Sequence, residues 1–366
     1  SHVGLLVDAG GQLSAEQAMA QSAAWQRINQ PSPNFGFTQA AHWFRFRLDN
    51  LDSVPLSRYI ELPIPFIDDV QLFHNAAGQR RAQYHLGDEF AFDQRGFKNQ
   101  NFVMPVTLLP GENLILIRLA SSGTIEAPLR VWDPLAFQQA NDHEKLVQGA
   151  VAGILLVMVF YNLFVYLATR ERSYLYYIGF VASYMLFHFT LTGYTFAYVW
   201  PNAVRWNSFA ISTCMAAATL FSGLFTSHFL RLREFSRPAW RIMQASNAFA
   251  GTLVLATFVL PYGLTVRVGA ALTLPVATAA LTLGYWRWVK GATFARFYCL
   301  AWTAALIGLA VLNASKLGLI ETNFWTSNAH QLGVVLLVVL LSFTLADRIN
   351  HDRAARVRAQ EQALAH

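Results

Sequence analysis

The sequence predicts an all-β jelly roll or β-sandwich followed by an all-α bundle of seven membrane-spanning helices. Of 366 residues, 54% are hydrophobic and 13% charged. An ordinary soluble domain carries roughly a quarter charged residues, so much of this chain is solvated by something other than water. The charge divides near residue 142: ten basic and fourteen acidic side chains precede it, and seventeen basic and seven acidic follow. The period changes at the same place, from short alternating segments to apolar runs of about twenty residues.

The acidic half, 1–138, opens at "SHVGLLVDAGGQL" without a basic start. An export signal is therefore expected to have been removed. A helix is predicted over "SAEQAMAQSAAWQRI" at 14–28. "HWFRFRLDN" at 42–50 alternates, with Phe44, Phe46 and Leu48 on one face and Trp43, Arg45 and Arg47 on the other. Strand-like runs follow at 58–62, 69–74, 101–108, 113–121 and 128–133, parted by turns such as "NAAGQ" and "LLPGEN". Many short strands between Gly and Pro turns favour a sandwich or jelly roll. Both cysteines, Cys214 and Cys299, fall in the apolar half, so the β-rich half must fold without disulfides.

The second half, 146–346, contains seven apolar runs, centred near Val157, Met185, Leu220, Leu253, Ala279, Leu306 and Leu337. Each is long enough to cross the hydrocarbon. One set of alternate connections plus the tail carries thirteen Lys and Arg, among them Arg170, Arg231, Arg233 and Arg348. The other set carries only Lys145, Arg205, Arg267 and Lys316. The positive-inside rule then predicts a cytoplasmic C-terminus and an N-terminal half outside. Residues 347–366 read as a charged helix leaving the bundle. Val357 and Leu364 are spaced for a two-helix seam, but Asn350, Arg353 and Gln360 weaken it.

Several stretches together resemble one family. "WFRFRLDN", "GDEFAFDQRGFKNQNFVMPVTL" at 87–108 and "LILIRLASSGTIEAPLRVWDPLAF" at 114–137 are similar to the jelly-roll extracellular domain of the bacterial seven-transmembrane receptors with diverse intracellular signalling modules. "YNLFVYLATRERSYLYYIGFV" at 161–181, "GYTFAYVWPNA" at 193–203 and "SFTLADRIN" at 342–350 resemble that family's first hairpin, outer loop and last exit. The resemblance implies a receptor of the bacterial inner membrane with a periplasmic sensor domain. It also implies a homodimer whose exit helices drive a histidine kinase or diguanylate cyclase; no such output module is expected within these residues.

Candidate ligand contacts outside the membrane are Trp43, Arg45, Arg47, Arg95, Lys98 and Arg118. An aromatic beside guanidiniums suits a sugar ring or a carboxylate, and equally suits the exposed face of a half-buried strand. Arg118 lies in the apolar "LILIRLA", where it needs either an acid on a neighbouring strand or a ligand. Arg95 and Lys98 sit in a polar, loop-like stretch, as lip residues would. Within the apolar half, Asn162, His188, His228, Asn313, Lys316 and His330 are residues that a lipid-facing surface excludes. They read as a second cavity, as an interhelical relay, or as packing and interfacial contacts. The partners expected are the lipid bilayer and a small periplasmic molecule (carbohydrate, amino acid or small carboxylate), with no nucleic acid. No G-x-S-x-G or H-E-x-x-H occurs, so no catalytic residue, metal site or cofactor is expected in this chain. A transporter or channel with a periplasmic binding domain is the alternative.

Overall fold

The computed structural model describes residues 3–30, 32–316, 319–321 and 324–364, with side chains at all of these except 22, 316, 327 and 349–364. The chain divides into two compact units. One holds 1–145, 186–212 and 260–266; the other holds 146–185, 213–259 and 267–366.

The first unit is built on a β-sandwich. Its larger sheet is antiparallel and six-stranded. The order across it is β2 (Gln26–Ile28), β1 (Val3–Asp8), β4 (Ala41–Asn50), β9 (Gly111–Ala120), β6 (Asp69–Ala76) and β7 (Gln79–Leu86). Facing it are a three-stranded sheet of β11 (Arg130–Trp132), β5 (Leu56–Leu62) and β8 (Phe102–Leu108), and a ribbon of β3 (Asn34–Phe37) with β10 (Thr124–Glu126). Alternate residues of both layers meet in one core: Phe44 and Phe46 of β4, Ile60 and Leu62 of β5, Met104 and Val106 of β8, Ile115 and Ile117 of β9. Fully burying each such side chain contributes about 1.5–3 kcal/mol, which is how the domain stands without disulfides.

The larger sheet is apolar on its outer face as well. Leu6, Trp43, Phe73 and Leu116 are buried there against Ala15 and Ala18 of a short helix, α1 (Ala15–Ala20). A capping box starts α1: Ser14 Oγ accepts the Gln17 N–H at 3.2 Å, and Gln17 Oε1 accepts the Ser14 N–H at 2.9 Å. The helix ends at Ala20, short of the expected 28, because Gln26–Ile28 pairs as an edge strand with β1. Trp25 ties that turn down by donating its indole N–H to Ala18 O at 3.0 Å.

Seven long helices take up the seven apolar runs: α2 (Pro134–Thr169), α3 (Arg172–Leu191), α5 (Val204–Phe229), α7 (Arg237–Ala256), α8 (Tyr262–Val289), α9 (Ala295–Lys316) and α10 (Phe324–Leu364). Short α4 (Tyr194–Tyr198) and α6 (Leu232–Phe235) fill two connections. Six of the seven are long and apolar enough to cross a membrane among the described residues. The exception is α7, whose first eleven residues carry Arg237, Arg241, Gln244 and Asn247.

The second unit has an aromatic core in which Phe225, Phe229 and Tyr298 stack, with Phe229 and Tyr298 ring centres 5.5 Å apart. Within it α9 and α10 approach closely. A Cβ on Gly308 would stand 2.3 Å from Ala329 O, and one on Gly333 would stand 2.8 Å from Ala304 O. Small residues let backbones meet where lipid supplies no hydrophobic drive.

Candidate functional site

The first unit holds a groove of about 770 Å³. Its walls come from α1 (Glu16 and Met19), from the β6–β7 hairpin (Asn75 to Gly78, and Arg80) and from the start of β9 (Glu112 and Leu114). Ala77 and Gly78 turn the hairpin, both with positive φ, 51° and 72°. A two-residue turn of this hand matches the twist of the flanking strands. Arg80 emerges beyond it, donates to the Glu16 carboxylate, and lies 5.0 Å over the Phe73 ring.

A backbone N–H at the start of α1 and the Arg80 guanidinium hold the Glu16 carboxyl below its usual range. The Asn75 side-chain amide donates to the Met19 thioether at 3.8 Å, a poor acceptor for a good donor. Glu112 pairs with Arg47 at 3.2 Å, which brings Arg47 to the groove's edge. A small molecule with hydroxyls or a carboxylate would meet guanidinium, amide and carboxylate groups above an apolar floor. Ligand sites commonly combine these features.

The other candidates outside the membrane lie elsewhere. Trp43 is 1% exposed and stacks on Phe73 at 6.0 Å beneath α1, so the expected open strand face is closed there. Arg45 stacks 4.5 Å over Trp25. Lys98 is exposed and pairs with Asp93 at 3.2 Å.

Arg118 is largely buried. It pairs with Asp69 of neighbouring β6 and donates to Gly11 O at 2.8 Å. Arg95 is no lip residue: it is 3% exposed and donates to the carbonyls of Gln100 (2.8 Å), Asn99 and Pro65 (both 3.4 Å). Its guanidinium lies 4.2 Å from the Phe102 ring. Burial lowers the Arg95 pKa to about 10, still charged at neutral pH. Close by, burial and then the negative charge of Asp68 push the Asp88 carboxyl up to about 7.

The polar residues of the helices are dispersed. Asn162 is fully buried and exchanges hydrogen bonds with Ser342 of α10, Nδ2 to Oγ at 3.0 Å. His330 lies 3.4 Å from the Tyr184 hydroxyl. Asn313 turns back on its own helix, donating to Leu309 O at 2.8 Å. His188 is buried beside Phe189. His228 Nδ1 lies 2.8 Å from Ser173 Oγ. The side chains of Lys316, Val357 and Leu364, on which the expected tail seam rests, lie outside those the structure describes.

The sequence-family model described as 7TMR-DISM extracellular 2 matches residues 1–133. The model described as 7TM diverse intracellular signalling matches residues 144–348, more than half of the chain. The chain belongs to the seven-transmembrane receptors with diverse intracellular signalling modules. No curated protein matches it significantly. The receptor thus has an N-terminal extracellular sensor domain of β-strands and a membrane-embedded helical signalling domain. α7, whose apolar stretch is weaker than those of the other six long helices, falls inside the matched seven-transmembrane region.

Sequence reasoning missed Glu16, Asn75, Arg80 and Glu112. The only signal was the turn "NAAGQR", whose facing wall comes from about sixty residues upstream.

Proposed function

We propose that the receptor senses a small polar molecule, a carbohydrate or a small carboxylate or amino acid, in the groove between α1, the β6–β7 hairpin and β9. The observation that carries this reading is the convergence of Arg80, Glu16, Asn75 and Glu112 on one cavity with an apolar floor. Arg47, tied to Glu112, is a positioning residue in this reading. Trp43, Arg95 and Arg118 serve the domain's structure.

Binding biases the bundle between two arrangements, and the difference leaves through α10 toward a histidine kinase or diguanylate cyclase. Ligand-driven change of this kind requires unequal affinity for the two arrangements. The distribution of basic residues supports a cytoplasmic α10 end in the bacterial inner membrane. Paired exit helices of a homodimer give the output module its input.

The test is a thermal-shift panel of sugars, amino acids and small carboxylates on the detergent-solubilised receptor. Arg80→Ala should weaken any ligand found by at least about tenfold, one charge-assisted contact or more. Lys98→Ala should leave it unchanged. A ligand indifferent to both Arg80→Ala and Asn75→Ala would remove the groove from the mechanism.

A further inference from the structure

A second cavity, of about 330 Å³, lies wholly within the second unit. It is near the lower end of the roughly 300–1,000 Å³ that small-molecule sites occupy. Ser227 and His228 from the end of α5, Arg231 and Arg233 around α6, Trp240 of α7 and Arg348 of α10 line it. Arg231 has a φ of 51°, a backbone conformation that side-chain-bearing residues rarely adopt. Arg231, exposed and two residues past the end of α5, lines the cavity from that turn. Arg348 donates to Phe229 O at 2.9 Å from the opposite wall. The positive charges of Arg348, Arg172 and Arg231 all act on His228.

Two acids share the lining, Glu171 and Glu234. Glu171 is engaged: Ser173 Oγ donates to it at 3.1 Å and His228 Nδ1 lies 3.6 Å away. Three guanidiniums therefore outnumber the carboxylates. A further polar residue lines the space: Ser227 is 8% exposed, and its Oγ is buried with no hydrogen-bond partner among the described residues. A buried hydroxyl with nothing to bond is costly unless a ligand or water completes it. Guanidinium forks match phosphate geometry, and the Trp240 indole beneath the Arg233 guanidinium, 5.8 Å away, adds a wall suited to an amphiphile.

We infer that this cavity binds a phosphate-bearing anion, and that the bound anion restrains α10 through Arg348. This goes beyond the sensing role proposed for the extracellular groove and does not depend on it. Only the side from which the anion arrives rests on the proposed orientation, which makes it cytoplasmic. The same chemistry is offered by the headgroup of an anionic phospholipid and by a free phosphate.

Native mass spectrometry of the full chain released from detergent separates the two sources. Phosphatidylglycerol, phosphatidylcholine and inorganic phosphate are titrated separately. One adduct per chain is expected with phosphatidylglycerol, at least tenfold less in the Arg231→Gln/Arg233→Gln double variant, and full retention in Arg237→Gln/Arg241→Gln, which loses equal charge outside the cavity. Ser227→Leu, which fills the space and leaves the charge alone, should lose the adduct too, so a folding failure of one variant does not decide the matter. An inorganic phosphate adduct with the same variant dependence would support the site and name a soluble source. Equal retention of every probe by wild type and both cavity variants, or equal loss in the control, would overturn the proposal.

Discussion

Arg95 and Asp88 illustrate how burial decides what a charged side chain does. Arg95 satisfies three backbone carbonyls in a space walled by Phe92, Phe102 and Phe196, so its charge organises the 95–101 loop. Arg95→Ala should cost on the order of 3 kcal/mol, because the carbonyls lose their donor, whereas Lys98→Ala should cost close to nothing. Denaturant unfolding of the solubilised receptor measures both, and equal effects would contradict the assignment.

Asp88 makes a pH prediction. Its carboxyl is pushed up to about 7 in the fold by burial first and by Asp68 second. The folded state therefore keeps a proton that the unfolded chain releases at ordinary carboxylate pH. Stability from this group is present in acid and is lost as pH rises from about 4 through about 7. Asp88→Asn should raise the melting temperature at about pH 8 and leave it nearly unchanged at about pH 4. A gain of equal size at both pH values would show that Asp88 ionisation does not govern the effect.

At the scale of the element, alternation and run length carried most of what the sequence disclosed. Phe44 and Phe46 were legible as core from the period of two, and all seven helices from their apolar runs. Alternation names two faces of a strand but not what covers each one. Trp43 looked like a ligand platform because nothing local reveals that α1 folds over it. The groove was hidden for the same reason: Glu16 and Arg80 meet only through tertiary packing across sixty-four positions.

Helix contacts of another kind were equally silent. The close approach of α9 and α10 depends on Gly308 and Gly333, which their sequence surroundings do not distinguish from other apolar-run glycines. Even the single methyl of Gly308→Ala should collide with Ala329 O and force the pair apart. A melting temperature several degrees lower in detergent is the expected result, and Gly149→Ala, where an added Cβ meets nothing within 4 Å, is the control. Equal melting of the two variants would mean that the helices do not need this approach.

At the scale of the whole molecule, three polar bonds from three different helices of the bundle end on α10. Tyr177 of α3 donates to Val338 O at 2.8 Å, Asn162 of α2 exchanges bonds with Ser342, and Arg348 reaches Phe229 O of α5. Each is an alternative to an unsatisfied group in a dry interior, so α10 cannot shift or turn without exchanging them together. The other end of this linkage is short in sequence: α2 starts at Pro134, separated from β11 by Asp133 alone, and runs unbroken to Thr169 past Asn162. A displacement of β11 therefore has a covalent route to the Asn162–Ser342 pair. Hydrogen–deuterium exchange tests whether that pair restrains α10. Asn162→Ala should speed exchange of amides around 338–346 several-fold while leaving the strands of the sandwich unchanged. Ser342→Ala should do the same, and the double variant should add little to either, since both remove one interaction. If the two single effects simply sum, Asn162 and Ser342 act on α10 separately, and the pair is not the restraint.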